Sequence, residues 1–147
     1  MTRRAATGIL AVALVAALLW WLRDPPFAPR METGLRPWAT GADEVRARWT
    51  TGRASIFVAS SWRVLEIPLR ARAFSPDWLP VVVEVRIDGK PVDRVTLADE
   101  QWLSRRIVVE GLRTSRRFRR VDFRVSRVWS DGRYGVQLGE VRSVASE

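Results

Sequence analysis

The chain has 147 residues, and its 25 lysine and arginine residues against 16 aspartate and glutamate residues give a formal net charge of +9. It contains neither cysteine nor histidine, which excludes disulfide bonds, thiol chemistry and Cys-built metal sites and removes the usual general base. The length suffices for one globular domain, and the basic charge fits nucleic acid, anionic lipid or an acidic polymer.

The N-terminal segment is uncharged over residues 5–22 and reads AATGILAVALVAALLWWL. A helix of that length measures roughly 27 Å, and the hydrocarbon core of a bilayer is about 30 Å thick. We therefore predict a transmembrane helix over residues 5–22, preceded by a cytoplasmic head at residues 1–4. Arg3 and Arg4 predict that the N-terminus is cytoplasmic. A signal peptide that is cleaved remains the alternative interpretation.

This orientation predicts a single-pass protein of the cell inner membrane with a periplasmic or extracellular C-terminal domain. Residues 23–34 contain three prolines and predict an extended linker. A β-sandwich domain is predicted over residues 35–144. Because the domain is expected to be exported, we predict no nucleic-acid partner.

Short runs of alternating apolar and polar residues follow one another through this domain, as in the strands of a sandwich. These runs lie at residues 45–50, 54–60, 62–69, 81–87, 91–97, 103–110, 121–125 and 134–141. Asp88-Gly89 separates two runs and predicts a hairpin, whereas Pro68 within a run predicts an edge strand or a bulge. The predicted fold is all-β: an antiparallel jelly-roll-like sandwich of about eight strands, preceded by the transmembrane helix.

The order of these features resembles a jelly-roll β-sandwich domain attached to, or encoded beside, bacterial membrane glycosyltransferases. The likeness covers roughly residues 35–142. It rests on LRPW at 35–38 followed by ARWT at 47–50, on VEVRIDG at 83–89, and on DGRYGV at 131–136. The resemblance implies a carbohydrate-binding-like module of the cell envelope, with a glycan or a membrane glycosyltransferase as its partner. It implies no enzymatic activity.

Catalysis without histidine or cysteine would depend on carboxylates, a Ser–Lys pair or a metal bound through oxygen. The adjacent acids Asp43-Glu44 and Asp99-Glu100 point to opposite faces if they lie on strands. No spacing predicts a carboxylate pair that acts across a glycosidic bond. We therefore predict a protein that is not an enzyme and that has no cofactor and no metal.

Six of the eight tryptophans follow the apolar segment. Exposed aromatic faces can stack on sugars, but large aromatic residues in strands more often fill a core. Three tryptophans lie within or at the start of predicted strands and are expected in the core or at its rim: Trp49, Trp62 and Trp102. The other three neighbour proline or turn residues and are the candidate ligand-binding residues: Trp38, Trp78 and Trp129.

A basic segment, RTSRRFRR at residues 113–120, lies between two predicted strands. Its candidate surface residues are Arg113, Arg116, Arg117, Arg119 and Arg120. Such a loop is attracted to anionic headgroups by about 1 kcal/mol per residue near a membrane, and it fits an acidic partner equally well. A solvated loop without a function is the simpler interpretation.

Two functions follow from these features. The first is a non-catalytic, membrane-anchored β-sandwich on the exported side that binds glycan or a glycan-handling membrane protein. The alternative is a structural or interaction subunit whose basic loop docks on anionic membrane lipid or on a protein partner.

Overall fold

The computed structural model describes residues 3–41, 43–109 and 114–145 of the chain. These ranges contain one α-helix, one 3₁₀ turn and ten β-strands. They are α1 (Arg3–Arg23), the 3₁₀ turn (Ala28–Arg30), β1 (Thr33–Leu35), β2 (Ala39–Thr40), β3 (Arg46–Ala59), β4 (Val64–Arg70), β5 (Val81–Ile87), β6 (Lys90–Leu97), β7 (Leu103–Val108), β8 (Phe118–Val125), β9 (Gln137–Leu138) and β10 (Arg142–Val144).

The strands form two antiparallel layers that share the long strand β3. The second half of β3 pairs with β1 and β8, and the ladder continues through β5 to β6; we call this layer sheet I. The first half of β3 pairs with β9, which is followed by β4 and β7; we call this layer sheet II. β2 pairs with the start of β3, and β10 pairs with β4. The predicted all-β sandwich is confirmed.

Alternation along the strands places the core between the two sheets. Leu65, Ile67 and Leu69 on β4 are fully buried, as are Val83 on β5 and Phe123 on β8. Burying an aliphatic or aromatic side chain of this size contributes about 1.5–3 kcal/mol relative to leaving it exposed. The core therefore holds the two outer faces, which carry the charged and polar residues, in a fixed arrangement.

The Asp88-Gly89 pair forms the turn of the β5–β6 hairpin, as its sequence predicts. Asp88 and Gly89 have φ angles of 51° and 82°, as a two-residue turn of type I′ requires.

Pro68 lies on a central strand and not on the predicted edge strand or bulge, because β4 pairs with β7 on one side and with β9 and β10 on the other. The Pro68 carbonyl accepts a hydrogen bond from the Gly139 backbone N–H at 2.9 Å. A Cβ at Gly139 would lie 2.9 Å from the Pro68 Cβ, so this close approach needs glycine.

The two runs predicted at residues 45–50 and 54–60 form one strand, β3. The strand passes from one sheet to the other without a loop, because each half finds a different partner. The linker over residues 23–34 stays a prediction. It contains the 3₁₀ turn, Ala28 within it is 4 % exposed, and β1 begins at Thr33.

The predicted membrane location is contradicted by the structure of α1. In the described part of the chain, no helix is both long and apolar enough to cross a membrane. The transmembrane helix over residues 5–22 and the single-pass inner-membrane location that depends on it are therefore corrected.

Candidate functional site

A row of four side chains crosses the outer face of sheet II. Trp49 on β3 pairs in register with Gln137 on β9, and Gln137 pairs with Arg70 on β4. Residues directly opposite each other in an antiparallel ladder project from the same face. Trp102 lies directly before β7, and its ring centroid is 4.7 Å from the Arg70 Cζ. We call Trp49, Gln137, Arg70 and Trp102 the aromatic–polar row.

Hydrogen bonds within the row hold its polar groups in place. The Arg70 Nε donates to the Gln137 Oε1 at 2.8 Å. The Arg70 Nη1 and the Trp102 Nε1 both donate to the Asp43 Oδ2, the indole at 3.1 Å. The Trp102 hydrogen bond holds the pKa of the Asp43 carboxyl below its usual value, with smaller contributions from Arg70 and the Val45 backbone N–H. Asp43 is therefore ionised at neutral pH, and the row is ordered before a ligand binds.

Two clefts flank the aromatic–polar row. One has a volume of about 280 Å³ and is lined by Gly41, Asp43, Trp49, Arg70, Arg72 and Gln137. The other has a volume of about 550 Å³, and its polar lining includes Glu44, Glu66, Ser104, Glu140 and Arg142 beside Trp102. Carboxylate, guanidinium, amide and hydroxyl groups supply both donors and acceptors. The face therefore combines aromatic rings with groups that hydrogen-bond to hydroxyls.

Aromatic residues extend the row beyond Trp49. The Trp49 ring lies 5.6 Å from Phe74, and Phe74 stacks on Trp129 with centroids 5.3 Å apart and planes at 9°. Trp78 packs edge-on against both, at 5.3 Å from Phe74 and 5.8 Å from Trp129. Trp129 keeps 44 % of its surface exposed. The structure thus brings two predicted ligand-binding residues, Trp78 and Trp129, into one cluster.

Loop contacts position these two tryptophans. The Arg127 guanidinium donates to the Trp78 backbone carbonyl at 2.9 Å and also to the Asp77 carbonyl. The Trp129 backbone N–H donates to the Tyr134 carbonyl at 2.7 Å, across the turn formed by Ser130, Asp131 and Gly132. All three turn residues have positive φ angles. The exposed Trp129 ring is therefore supported by a short, hydrogen-bonded loop.

Trp38, the third candidate, lies elsewhere. The guanidinium carbons of Arg48 and Arg46 lie 4.4 Å and 5.0 Å from its ring centroid. Arg48 is buried and forms a two-point ion pair with Glu32, with one hydrogen bond at 2.8 Å. Within the described residues, Trp38 makes no ring contact with the aromatic cluster. Its ring therefore packs with arginine side chains, and 36 % of its surface remains exposed.

The basic segment divides into residues with different surroundings. Arg113 lies outside the described residues. Arg116 and Arg117 are exposed near the end of α1, where the Asp24 carboxylate accepts the Arg117 backbone N–H at 2.8 Å and 2.9 Å. Arg120 is exposed, and its Nε donates to the Asp122 Oδ1 at 2.6 Å.

Arg119 is not part of the exposed basic surface. It is 6 % exposed and shares the inward side of β8 with Val121 and Phe123. Its guanidinium lies 3.5 Å from the Asp88 carboxylate in the β5–β6 turn. The alternation of residues along β8, which is visible in the sequence, places Arg119 on the inward side. The position of Asp88 next to it depends instead on the pairing of β5 with β8.

The residues that sequence reasoning missed at this site are Asp43, Arg70 and Gln137. Trp49 and Trp102, expected in the core or at its rim, are half-buried on the outer face of sheet II. Trp62 packs against the core and is partly buried. The pairing of β9 with both β3 and β4 assembles the row, and no local pattern predicts that pairing.

No protein-family model matches this chain, and none of the curated proteins matches its sequence. Among solved structures, a CBM51 from Clostridium perfringens GH95 in complex with methyl-galactose is 12% identical, with 71% of this chain and 77% of that chain covered and a TM-score of 0.42. The CBM36-1 domain of a multidomain xylanase from the Trinervitermes trinervoides hindgut metagenome is 9% identical, with 72% and 83% covered and a TM-score of 0.42.

A third similar structure is an exo-beta-1,3-galactanase from Phanerochaete chrysosporium. It is 14% identical, with 76% of this chain and 25% of that chain covered and a TM-score of 0.43. Similarity at this level assigns neither a family nor a function to this chain. The predicted membrane-lipid and membrane-glycosyltransferase partners stay predictions.

Proposed function

We propose that this chain is a non-catalytic glycan-binding module whose ligand lies along the aromatic–polar row and against Trp129. The observation that carries this proposal is the row itself. It places an amide and a guanidinium between two aromatic rings across neighbouring strands, and it continues through Phe74 to the exposed ring of Trp129. The clefts on either side give room for sugar residues along a face about three strands wide.

The chemistry of the row fits a sugar better than a purely apolar ligand. The C–H face of a pyranose packs on an indole ring, while its hydroxyls need both donors and acceptors nearby. Arg70 supplies donors, and Gln137 and Asp43 supply acceptors. Because hydrogen bonds already order these three side chains, binding loses less conformational entropy than it would at a mobile surface.

The ionised state of Asp43 fits a role as a hydrogen-bond acceptor. Its carboxylate accepts hydrogen bonds from Trp102 and Arg70, and its pKa is lower than usual. The Asp43 carboxyl is therefore ionised at neutral pH and does not act as a proton donor there. The role of Asp43 in this proposal is to position the row and to accept hydroxyl hydrogen bonds.

A glycan array probed with the full-length chain tests the proposal. We expect binding to one class of glycan and a loss of roughly tenfold or more in affinity on Trp129→Ala, about 1.4 kcal/mol per tenfold. Gln137→Ala should weaken the same binding. Trp38→Ala is the matched control, because it removes a similarly exposed indole away from the row. Absence of glycan binding, or equal losses at Trp38 and Trp129, would refute the proposal.

A second candidate function is an interaction subunit that docks on an acidic protein segment. The observation that favours it is a cleft of about 530 Å³ lined by Trp20, Trp21, Asp24, Pro26, Ser115 and Arg117. Exposed indole rings beside the guanidinium groups of a basic loop fit a partner that is both acidic and apolar. A fluorescent poly-glutamate peptide containing leucine should bind in low salt and lose binding on Arg117→Glu, whereas Arg133→Glu should have little effect. Binding that is equal in all three proteins would exclude this site.

A further inference from the structure

The outer face of sheet I carries a second row of side chains with a different character. Arg53 on β3 pairs in register with Arg124 on β8, Arg124 pairs with Glu84 on β5, and Glu84 pairs with Arg94 on β6. Directly paired residues project from one face, and the three arginines are exposed. We call Arg53, Arg124, Glu84 and Arg94 the arginine row.

The charges of this row are not neutralised within the protein. Arg53 and Arg124 are directly opposite each other, and like charges in that position are destabilising. Glu84 forms its ion pair with Arg86 at 3.2 Å. Within the described residues, the guanidinium groups of Arg53, Arg94 and Arg124 make no hydrogen bond and no ion pair. Their donors are therefore open to an external anion.

The spacing of the row restricts which anion fits. Neighbouring strands lie about 4.8 Å apart, so Arg94 is separated from Arg124 by about 10 Å, with Glu84 between them. A shallow cleft of about 280 Å³ lies at this point, lined by Val82, Glu84, Arg94, Arg124, Val125 and Ser126. A ligand that follows the row meets two guanidinium groups, then a carboxylate, then a third guanidinium.

We propose that the arginine row binds a linear acidic polysaccharide. Arg53 and Arg124 together hold one carboxylate or sulfate group, and Arg94 holds the next acidic group along the chain. The neutral hydroxyls between the two acidic groups lie over Glu84, whose carboxylate accepts their hydrogen bonds. This site is on the opposite sheet from the aromatic–polar row, and it does not depend on the function proposed there.

The position of Glu84 disfavours nucleic acid as the ligand. A nucleic acid carries a phosphate on every nucleotide, and a regular backbone along the row would bring negative charge close to the Glu84 carboxylate. Proteins that bind single strands without sequence preference also stack bases on aromatic side chains, and all four residues of the row are charged. A polysaccharide with acidic groups separated by neutral sugar hydroxyls avoids both difficulties.

Titration of the full-length chain with hyaluronate, which carries a carboxylate on every second sugar, and with neutral dextran tests this proposal. We expect hyaluronate to bind, with an affinity that falls as salt is raised, and dextran not to bind at this face. The double variant Arg53→Gln/Arg124→Gln should lose roughly tenfold or more in affinity. The matched control Arg116→Gln/Arg117→Gln removes the same charge from the basic loop and should change affinity by less than about twofold.

Three outcomes would overturn the proposal. Equal losses in the two double variants would show attraction to net charge rather than to the row. Absence of hyaluronate binding would exclude the site. Tighter binding of a single-stranded oligonucleotide that also depends on Arg53 and Arg124 would assign the row to nucleic acid. Glu84→Gln sharpens the last comparison, because it should improve oligonucleotide binding more than hyaluronate binding, and Trp129→Ala should affect neither.

Discussion

The outer faces of the two sheets differ in what neighbouring strands offer to their arginines. On sheet II, Arg70 meets an amide at Gln137 and a carboxylate at Asp43, and its side chain is only 12% exposed. On sheet I, Arg53 meets another arginine, Arg124, and both remain exposed. The first face has neutralised its own charge and presents ordered polar groups, whereas the second leaves positive charge for an external partner.

Strand β3 contributes residues to both outer faces. Trp49 and Arg53 lie four residues apart on β3, on either side of the point where β3 passes from sheet II to sheet I. Partners across the ladder decide whether a charged side chain becomes part of the framework or stays available for binding. The predictions below test this difference, from the largest expected effect to the smallest.

Loss of the shared core should affect both faces together. Phe123 is fully buried between the sheets, so Phe123→Ala removes buried surface and leaves a cavity. We expect the free energy of unfolding to fall by about 3–5 kcal/mol, measured by urea denaturation. Phe57→Ala, at a half-buried position on β3, is the control and should cost less. Equal costs at the two positions would contradict the assignment of Phe123 to the common core.

Replacing Arg70 should destabilise the protein because its partners lose hydrogen bonds to a charged group. Arg70→Met keeps the alkyl chain but removes the donors to Gln137 and Asp43. We expect a loss of about 1.5–3 kcal/mol in the free energy of unfolding. Arg94→Met on sheet I should change it by no more than about 0.5 kcal/mol. If the two variants behave alike, the contrast between the faces is wrong.

Reversing one charge in the arginine row should stabilise the protein. Arg53→Glu replaces a like-charged pair opposite Arg124 with an opposite-charged pair, and we expect a gain of about 0.2–1 kcal/mol. The gain should shrink in 1 M salt because exposed charges are screened. Arg53→Gln should give a smaller gain. A loss of stability in both variants would show that the opposed arginines are not repelling each other.

The smallest effect concerns the pair that links the edges of the two sheets. The Arg105 Nε donates to the Asp93 Oδ2 at 3.0 Å, and this hydrogen bond holds the pKa of Asp93 below its ordinary value of 3.8. The folded-state pKa is lower than the unfolded one, so the stabilisation is complete above about pH 4 and is lost as the pH falls through the folded value.

For such an exposed pair, we expect Asp93→Asn to remove about 0.2–1 kcal/mol at pH 7. The difference between the variant and the wild type should shrink as the pH falls below 3.8, the ordinary pKa of Asp93, because its carboxylate becomes protonated. Unfolding curves at pH 7, 5, 3 and 2 measure this. A difference that stays the same across this range would mean that Asp93 acts through packing instead of through its charge.

Much of the strand pattern could be predicted from local sequence. Alternation placed β5 at residues 81–87, as observed, and Asp88-Gly89 predicted the hairpin that follows. Local alternation did not show that residues 46–59 form one strand, because that depends on which partner each half meets. It also could not show that Arg119 lies next to the Asp88 carboxylate, because Asp88 belongs to the β5–β6 hairpin.

The candidate site was predicted only in part, because local signals mark some of its residues and strand pairing brings in the others. Trp78 and Trp129 stood out because they neighbour turn residues, and the structure brings them together. Asp43, Arg70 and Gln137 carry no local signal, since polar residues in turns and at strand ends are ordinarily solvated. Their role depends on β9 lying between β3 and β4.

By itself, the sequence determined the net charge and the absence of cysteine and histidine. It also determined the alternation that buries one side of each strand and the turns that need positive φ angles. These follow from residue type and nearest neighbours along the chain. The tertiary structure decided which side chains meet across the ladders: that Arg70 finds acceptors, that Arg53 finds Arg124, and that β3 serves both sheets. Strand register joins residues that are tens of positions apart, and no pattern confined to a few consecutive residues can specify it.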